Sequence, residues 1–113
     1  MCIQYDLTYE DLNPTFLYAC QLSRREPGQP NSHDFIEIAF ILSGEGTFVL
    51  NEKWYAVRKG DVLLFNPGVV HQCVYSSPDS PLEEFYVAFT DIHIRDMQPN
   101  QISFPDHERL LHP

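Results

Sequence analysis

Two stretches of the sequence gather side chains able to do chemistry. The first is Asn31-Ser32-His33-Asp34-Phe35-Ile36-Glu37; the second runs from Gly60 and Asp61 through Asn66, Pro67 and Gly68 to His71. In a β-strand, residues two and four apart lie on one face, so His33, Phe35 and Glu37 point the same way, and Ser43 in the turn beyond keeps their parity. Pro67-Gly68 makes a tight turn that ends one strand and presents His71 at the start of the next. Glu37 is the most informative of these residues. It interrupts the apolar run Phe35 to Leu42, and a carboxylate taken out of water there is costly unless it is paired. His33, His71, a metal ion and a bound molecule are the candidate partners.

The elements that position these groups are strands. Short apolar runs alternate with turn signals, nine prolines and five glycines among them. The candidate strands are Thr15–Leu22, Phe35–Leu42, Gly46–Leu50, Trp54–Val57, Val62–Asn66, Gln72–Tyr75 and Glu84–Thr90. Regular short strands of this kind build a sandwich or barrel. Asn51-Glu52-Lys53 is a polar loop between apolar runs, which makes Gly46–Val57 a hairpin. By strand parity His71 shares a face with Cys73, and Glu84 with Tyr86, so the set expected to line a pocket is His33, Phe35, Glu37, His71, Cys73, Glu84 and Tyr86. Ile36, Ile38 and Phe40, on the opposite face, read as structural core. Cys73 reads as a small core filler, Trp54 as a packing or dimer-surface residue, and Arg24-Arg25, before a Pro-Gly loop, as solvated. His93, His107 and His112 read as exposed tail residues. The segment from Pro105 to Leu111 carries an acidic start and later leucines, which predicts the beginning of a helix cut short at the C-terminus.

Composition narrows the function. The chain has 113 residues, and 7 Lys+Arg against 16 Asp+Glu give a net charge of -9. That length predicts one domain with a modest core. The few cations are scattered, so the basic stripe that phosphate neutralisation requires is missing, which argues against direct nucleic-acid binding and against anionic membrane surfaces. No apolar run approaches the roughly 18 residues of a membrane helix. The start, Met1-Cys2-Ile3-Gln4-Tyr5-Asp6, lacks the features of a secretory signal. Cys2, Cys20 and Cys73 are few and far apart, which predicts reduced thiols and a cytoplasmic protein.

The stretch HDFIEIAFILSGEGTFVLNEKWYAVRKGDVLLFNPGVVHQC, His33 to Cys73, resembles the paired motifs of the cupin superfamily, and among cupins the N-terminal sensor domains of AraC-type transcription regulators. The order LSGEG, then KGD, then NPGVVH carries the likeness, and the later segment EEFYVAFTD is similar to that branch as well. The resemblance implies an all-β fold, a cupin-type double-stranded β-helix or jelly-roll barrel. It implies an N-terminal arm over residues 1–14, a sensor barrel over 15–91, and a linker with the start of a C-terminal helix over 92–113. It also implies a small polar effector, such as a carbohydrate, held inside the barrel, and a homodimer. DNA contact would then belong to a helix-turn-helix domain that this chain does not contain.

Metal-dependent cupins usually read HxHxxxE in the first motif and add a histidine from the second. Asn31 stands where the first of those histidines would be, leaving His33, Glu37 and His71. Two imidazoles and a carboxylate can form a facial triad for a divalent metal. The expectation is therefore a binding domain with no cofactor and no catalytic residues. The alternative is a stand-alone metal-dependent cupin enzyme, an isomerase or dioxygenase, using His33, Glu37 and His71.

Overall fold

A computed structural model of the chain describes residues 14–93 and 97–102, together with the backbone of 110 and 111. Eight strands follow in order: β1 (Thr15–Arg24), β2 (Ile36–Ser43), β3 (Glu45–Leu50), β4 (Lys53–Arg58), β5 (Val62–Phe65), β6 (His71–Ser76), β7 (Leu82–Thr90) and β8 (Leu110–Leu111). They form two antiparallel sheets, one of five strands in the order β1-β7-β2-β5-β8 and one of three in the order β4-β3-β6. Among the described residues there is no helix, and so none long and apolar enough to cross a membrane. The expected arm, residues 1–13 of it, lies outside the described residues, as do His107 and His112. The expected C-terminal helix needs correction at its end: Leu110 and Leu111 pair with Leu63 and Val62 as β8, where they occupy the otherwise free edge of β5. The remainder of that segment, residues 105–109, lies outside the described residues.

Period-two alternation decides which side chains enter the barrel. On β2, Glu37, Ala39 and Ile41 are buried and face inward, while Phe40 and Leu42 are exposed. The main core joins Ala39, Ile41, Leu63, Phe65, Leu82 and Tyr86 of the larger sheet to Phe48, Leu50, Tyr55, Val57 and Cys73 of the smaller one. Phe48 and Phe65 meet across the two sheets with ring centroids 6.3 Å apart. Full burial of side chains of this size contributes about 1.5–3 kcal/mol each. The face of β2 expected to be core is the outer one. Ile36 is buried there in a separate small cluster with Leu64 and Ile92, flanked by Ile38, Phe89, Met97 and Ile102, and Phe40 is 37% exposed. Asn66 fastens that cover, since its side-chain amide donates to the Ile102 carbonyl (2.8 Å) and its oxygen accepts from the Ile102 amide (2.9 Å). Trp54, on the outer face of β4, is exposed.

Turns set the registers. Asn51 and Glu52 both adopt positive φ (46° and 71°) between β3 and β4, the geometry of a two-residue type I′ hairpin that follows the right-handed twist of its strands. Gly44, between β2 and β3, has φ 91°, and a Cβ there would lie 2.1 Å from the Pro81 carbonyl oxygen, so the turn excludes any side chain. In the turn Asn66-Pro67-Gly68-Val69, the Val69 amide donates to the Asn66 carbonyl (3.1 Å) and Gly68 has φ 81°, which fits a type II turn with proline and glycine at its two centres.

Candidate functional site

The two motifs meet at one end of the barrel. The loop before β2 is laced to the start of β6: Asn31 and His71 exchange backbone hydrogen bonds of 2.9 Å, and the His33 carbonyl accepts from the Gly68 amide at 2.9 Å. His33 and His71 are thereby fixed side by side, with ring centroids 5.0 Å apart. Each ring lies flat against an aromatic neighbour, His33 on Phe35 (4.0 Å) and His71 on Phe65 (4.2 Å). Each also donates its Nδ1–H to a backbone carbonyl at 3.2 Å, His33 to Phe35 and His71 to Val69. A carbonyl can only accept, so Nδ1 carries the proton and Nε2 of the neutral ring keeps a free lone pair. Burial holds the His71 imidazole below its ordinary value, which favours that neutral form.

Glu37 completes the group from β2. The Tyr18 hydroxyl, on β1, donates to its Oε2, and burial beside that carboxylate pushes the phenol well above its usual range. His33 Nε2 lies 3.6 Å from the same oxygen, beyond hydrogen-bonding range, and is buried with no hydrogen-bond partner among the described residues. One ligating atom each from His33, Glu37 and His71 falls within 4.8 Å of the others.

These donor types suit a divalent metal, and the Nδ1–carbonyl bonds are the kind of support that orients metal-binding histidines. The spacing is slightly wider than that around a bound ion, with one pair, His33 Nε2 and Glu37 Oε2, 3.6 Å apart. Ligands about 2.0–2.2 Å from one metal stand about 3.0–3.5 Å from each other. Here the three atoms are gathered only to within 4.8 Å.

A second polar group is built where β1 crosses β7. Arg24 Nε donates to Glu84 Oε2, Arg24 Nη2 donates to the Tyr86 hydroxyl (2.6 Å), and that hydroxyl donates to Glu84 Oε1 (2.7 Å). The guanidinium also lies over the Phe48 ring, 5.7 Å from its centroid. Glu84 is fully buried. Burial pushes its carboxyl up while Arg24 pulls the other way, and burial beside Glu84 keeps the Tyr86 phenol well above its usual range. Burial also opposes the Arg24 charge, but Glu84 and Tyr86 outweigh it and hold the guanidinium protonated.

Between the two groups is a cavity of about 230 Å³, whose walls include Tyr18, Arg24, Glu37, His71, Cys73 and Tyr86. Among the residues expected to form a pocket, Glu37, His71, Cys73 and Tyr86 line it directly. His33 and Phe35 stand behind them at the histidine end, and Glu84 braces Arg24 and Tyr86. The Cys73 thiol, buried and pushed up by desolvation, bonds to the Tyr75 carbonyl (3.4 Å) and is held as an unreactive wall. A larger hollow of about 500 Å³ lies on the outer face of the three-stranded sheet and shares only Gln72 with the cavity.

Sequence reasoning missed Tyr18 and Arg24. Arg24 is not solvated: β1 runs two residues beyond Leu22, and parity carries Tyr18, Cys20, Leu22 and Arg24 to the same inner face. Extending the alternation past Leu22 would have found it. Arg25, the next residue, is exposed, as is His93.

Residues 21–112 match the profile of the AraC-like ligand binding domain. No curated protein matches the chain in sequence. Among solved structures, the chain is similar to a predicted oxalate decarboxylase of Thermotoga maritima, with 25% identity, a TM-score of 0.58 and 65% of each chain covered. It is also similar to a cupin protein of Bacteroides fragilis, with 22% identity, a TM-score of 0.53, and 74% of this chain and 69% of that one covered. The Cnp3 cupin domain of Schizosaccharomyces pombe is a third, with 15% identity, a TM-score of 0.60, and 69% of this chain and 64% of that one covered. The chain thus spans just under two thirds of the Thermotoga and Schizosaccharomyces proteins. Two facing antiparallel sheets, a polar cavity between them and a profile match over most of the sequence lead to one assignment: the chain belongs to the AraC-like ligand-binding domain family of cupin proteins.

Proposed function

We propose that this chain is the sensing domain of an AraC-type transcription regulator, binding a small polar effector in the barrel cavity. The observation that carries the reading is the cavity itself, which sets polar groups at opposite ends of an otherwise apolar core. His33, Glu37, His71 and Tyr18 would hold one end of the effector; Arg24 and Tyr86, braced by Glu84, would hold the other. Cys73 would shape the space between, and Phe35 would back His33 at the histidine end. The domain would act as a homodimer, and DNA contact would belong to a separate helix-turn-helix domain. The acidic balance, 7 cations against 16 anions, supports that division of labour.

The test is a panel of polar metabolites read by thermal shift. A ligand at a hundred times its Kd stabilises the native state by about 2.7 kcal/mol. In a chain of 113 residues that corresponds to a Tm rise of about 11 °C. No stabilising compound, or a shift unchanged in Glu37→Ala, would refute the assignment of the cavity.

The donor set at His33, Glu37 and His71 supports a second reading, a metal-dependent cupin enzyme. A divalent metal held by these three residues would supply a Lewis-acid or oxygen-activating centre. Elemental analysis of protein purified without added metal decides it: stoichiometric Fe, Mn, Ni or Zn, lost in His71→Ala, would replace the sensor reading.

A further inference from the structure

The two sheets differ on their outer faces. The five-stranded sheet has Ile92, Met97 and Ile102 packed across part of its outside. The three-stranded sheet keeps its large outer side chains in solvent, with Trp54 67% and Tyr75 51% exposed. Alternation puts Trp54 and Ala56 of β4 on this face, together with Thr47 and Val49 of β3 and Gln72 and Tyr75 of β6. Next to Trp54 the face is hollowed over about 500 Å³, with Pro30, Val49 and Val70 as apolar walls and Asn51, Glu52 and Gln72 as polar ones.

Charge separates this face from the rest of the chain. From Glu45 to Arg58 the hairpin carries two acids, Glu45 and Glu52, and two bases, Lys53 and Arg58. β6 adds no Asp, Glu, Lys or Arg. The face is therefore neutral in a chain of net charge -9, and two copies can close on it without the repulsion that their overall charge imposes elsewhere.

The strand registers make the face complementary to itself. The strands run β4-β3-β6 across it. One row reads Trp54, Val49, Gln72, and the next row on the same face reads Ala56, Thr47, Tyr75. The large side chain thus sits at opposite ends of the two rows. A half-turn about an axis along β3, in the plane between two facing copies, exchanges the β4 and β6 ends of every row. Each Trp54 is then brought over the Gln72 end of the other copy, where the hollow lies, and each Tyr75 over the other copy's Ala56. Val49 meets Val49 and Thr47 meets Thr47 on the axis. This is the reciprocal contact that a two-fold interface demands, in the aligned packing that two facing sheets favour.

We propose that the outer face of the three-stranded sheet is the homodimer interface, with Trp54 of each copy seated in the hollow of the other. It rests on the homodimer reading for the number of copies and adds where they meet; it is independent of what the cavity binds. The face measures about 14 × 20 Å, and with the walls of the hollow it puts about 500 Å² per copy into contact. That is near the lower limit of specific interfaces, so a dimer of roughly micromolar Kd is expected.

The experiment is sedimentation equilibrium of the full chain over a dilution series, with tryptophan emission recorded on the same samples. Trp54 is the only tryptophan, so the emission reports this face alone. Wild type is expected to pass from dimer to monomer on dilution while the emission shifts to the red in step. Trp54→Ser should raise the dimer Kd at least about thirtyfold, the effect of losing a tryptophan hot spot. Ala56→Glu, which puts a carboxylate under the facing Tyr75, should do the same and hold the emission at its red limit throughout. Both side chains are exposed in the single chain, so neither change disturbs the core. Leu42→Ser, on the outside of the other sheet, should leave the association unchanged. A dimer that survives Trp54→Ser and Ala56→Glu, or that Leu42→Ser breaks, overturns the proposal and leaves the homodimer reading standing. A monomer at every concentration overturns both, whether its Trp54 emission is red or already shielded by the chain itself.

Discussion

Arg24→Met would test the polar network most directly. It keeps an unbranched stem in place and removes the charge that compensates Glu84. Removing one member of a buried ion pair costs about 3–5 kcal/mol, because the other charge is left buried and alone. Arg24 is 19% exposed while Glu84 is fully enclosed, which puts this pair at the lower end, about 3 kcal/mol. For 113 residues the unfolding entropy is about 0.24 kcal/mol per kelvin, so Tm should fall by about 12 °C. Arg24→Met/Glu84→Gln should recover most of that, since a neutral amide needs no counter-charge and can still accept from Tyr86. The deficit also has a sign with pH. Burial already raises Glu84, so a proton binds it more readily in the folded than in the unfolded chain, and losing the guanidinium raises it further. Such a group stabilises at low pH, and that contribution is lost as pH rises through the folded value. The single variant should therefore be closest to wild type near about pH 5 and furthest from it near about pH 8. Urea melts of the three proteins, wild type, Arg24→Met and the double variant, at both pH values measure this. A loss under about 1 kcal/mol, or a double variant no better than the single, would refute the claim that Glu84 is charged and held by Arg24.

Three further outcomes are expected. Gly44→Ala, at φ 91° and with the Pro81 carbonyl oxygen 2.1 Å from the new Cβ, should cost about 3 kcal/mol or more in chemical denaturation. His71, depressed by burial from its usual 6.5, contributes stability that is present above that value and lost on acidification. Tm should thus fall further between about pH 7.5 and about pH 5 in wild type than in His71→Gln. Asn66→Ala breaks both bonds to the Ile102 backbone and should cost about 2 kcal/mol, with amide exchange rising first around Ile92 and Ile102.

Strand positions and turns were largely legible because alternation and Gly/Pro punctuation are local properties. The hairpin at Asn51 and Glu52 and the Pro67-Gly68 turn follow from residue type alone. What periodicity cannot say is which of two faces is the inside. On β2 the large apolar residues Ile36, Ile38, Phe40 and Leu42 share one face, yet it is the opposite face, with Glu37, Ala39 and Ile41, that enters the barrel. Glu37 marked that face correctly as one needing partners, but its nearest donor, Tyr18, lies on a strand with no polar pattern to distinguish it. Arg24 looked solvated because a flanking Pro-Gly loop and a second arginine suggested a strand already ended. The pairing of Leu110 and Leu111 with β5 depends on an open sheet edge far away in sequence, which no local helix signal can reveal.

Tyr18 and Arg24, one at each pole of the cavity, ride on the same strand. Among the described residues β1 is a sheet edge whose backbone ladder runs only to β7, and its side chains are largely exposed. Edge strands with one neighbour open at a smaller free-energy cost than central ones. Opening of β1 would therefore release the contacts at both poles together. A molecule that reaches both poles pins the strand at Tyr18 and at Arg24, and slowed amide exchange along Thr15–Arg24 becomes a direct gauge of occupancy. The domain would thus signal through the tightness of one edge, with no need to move its core.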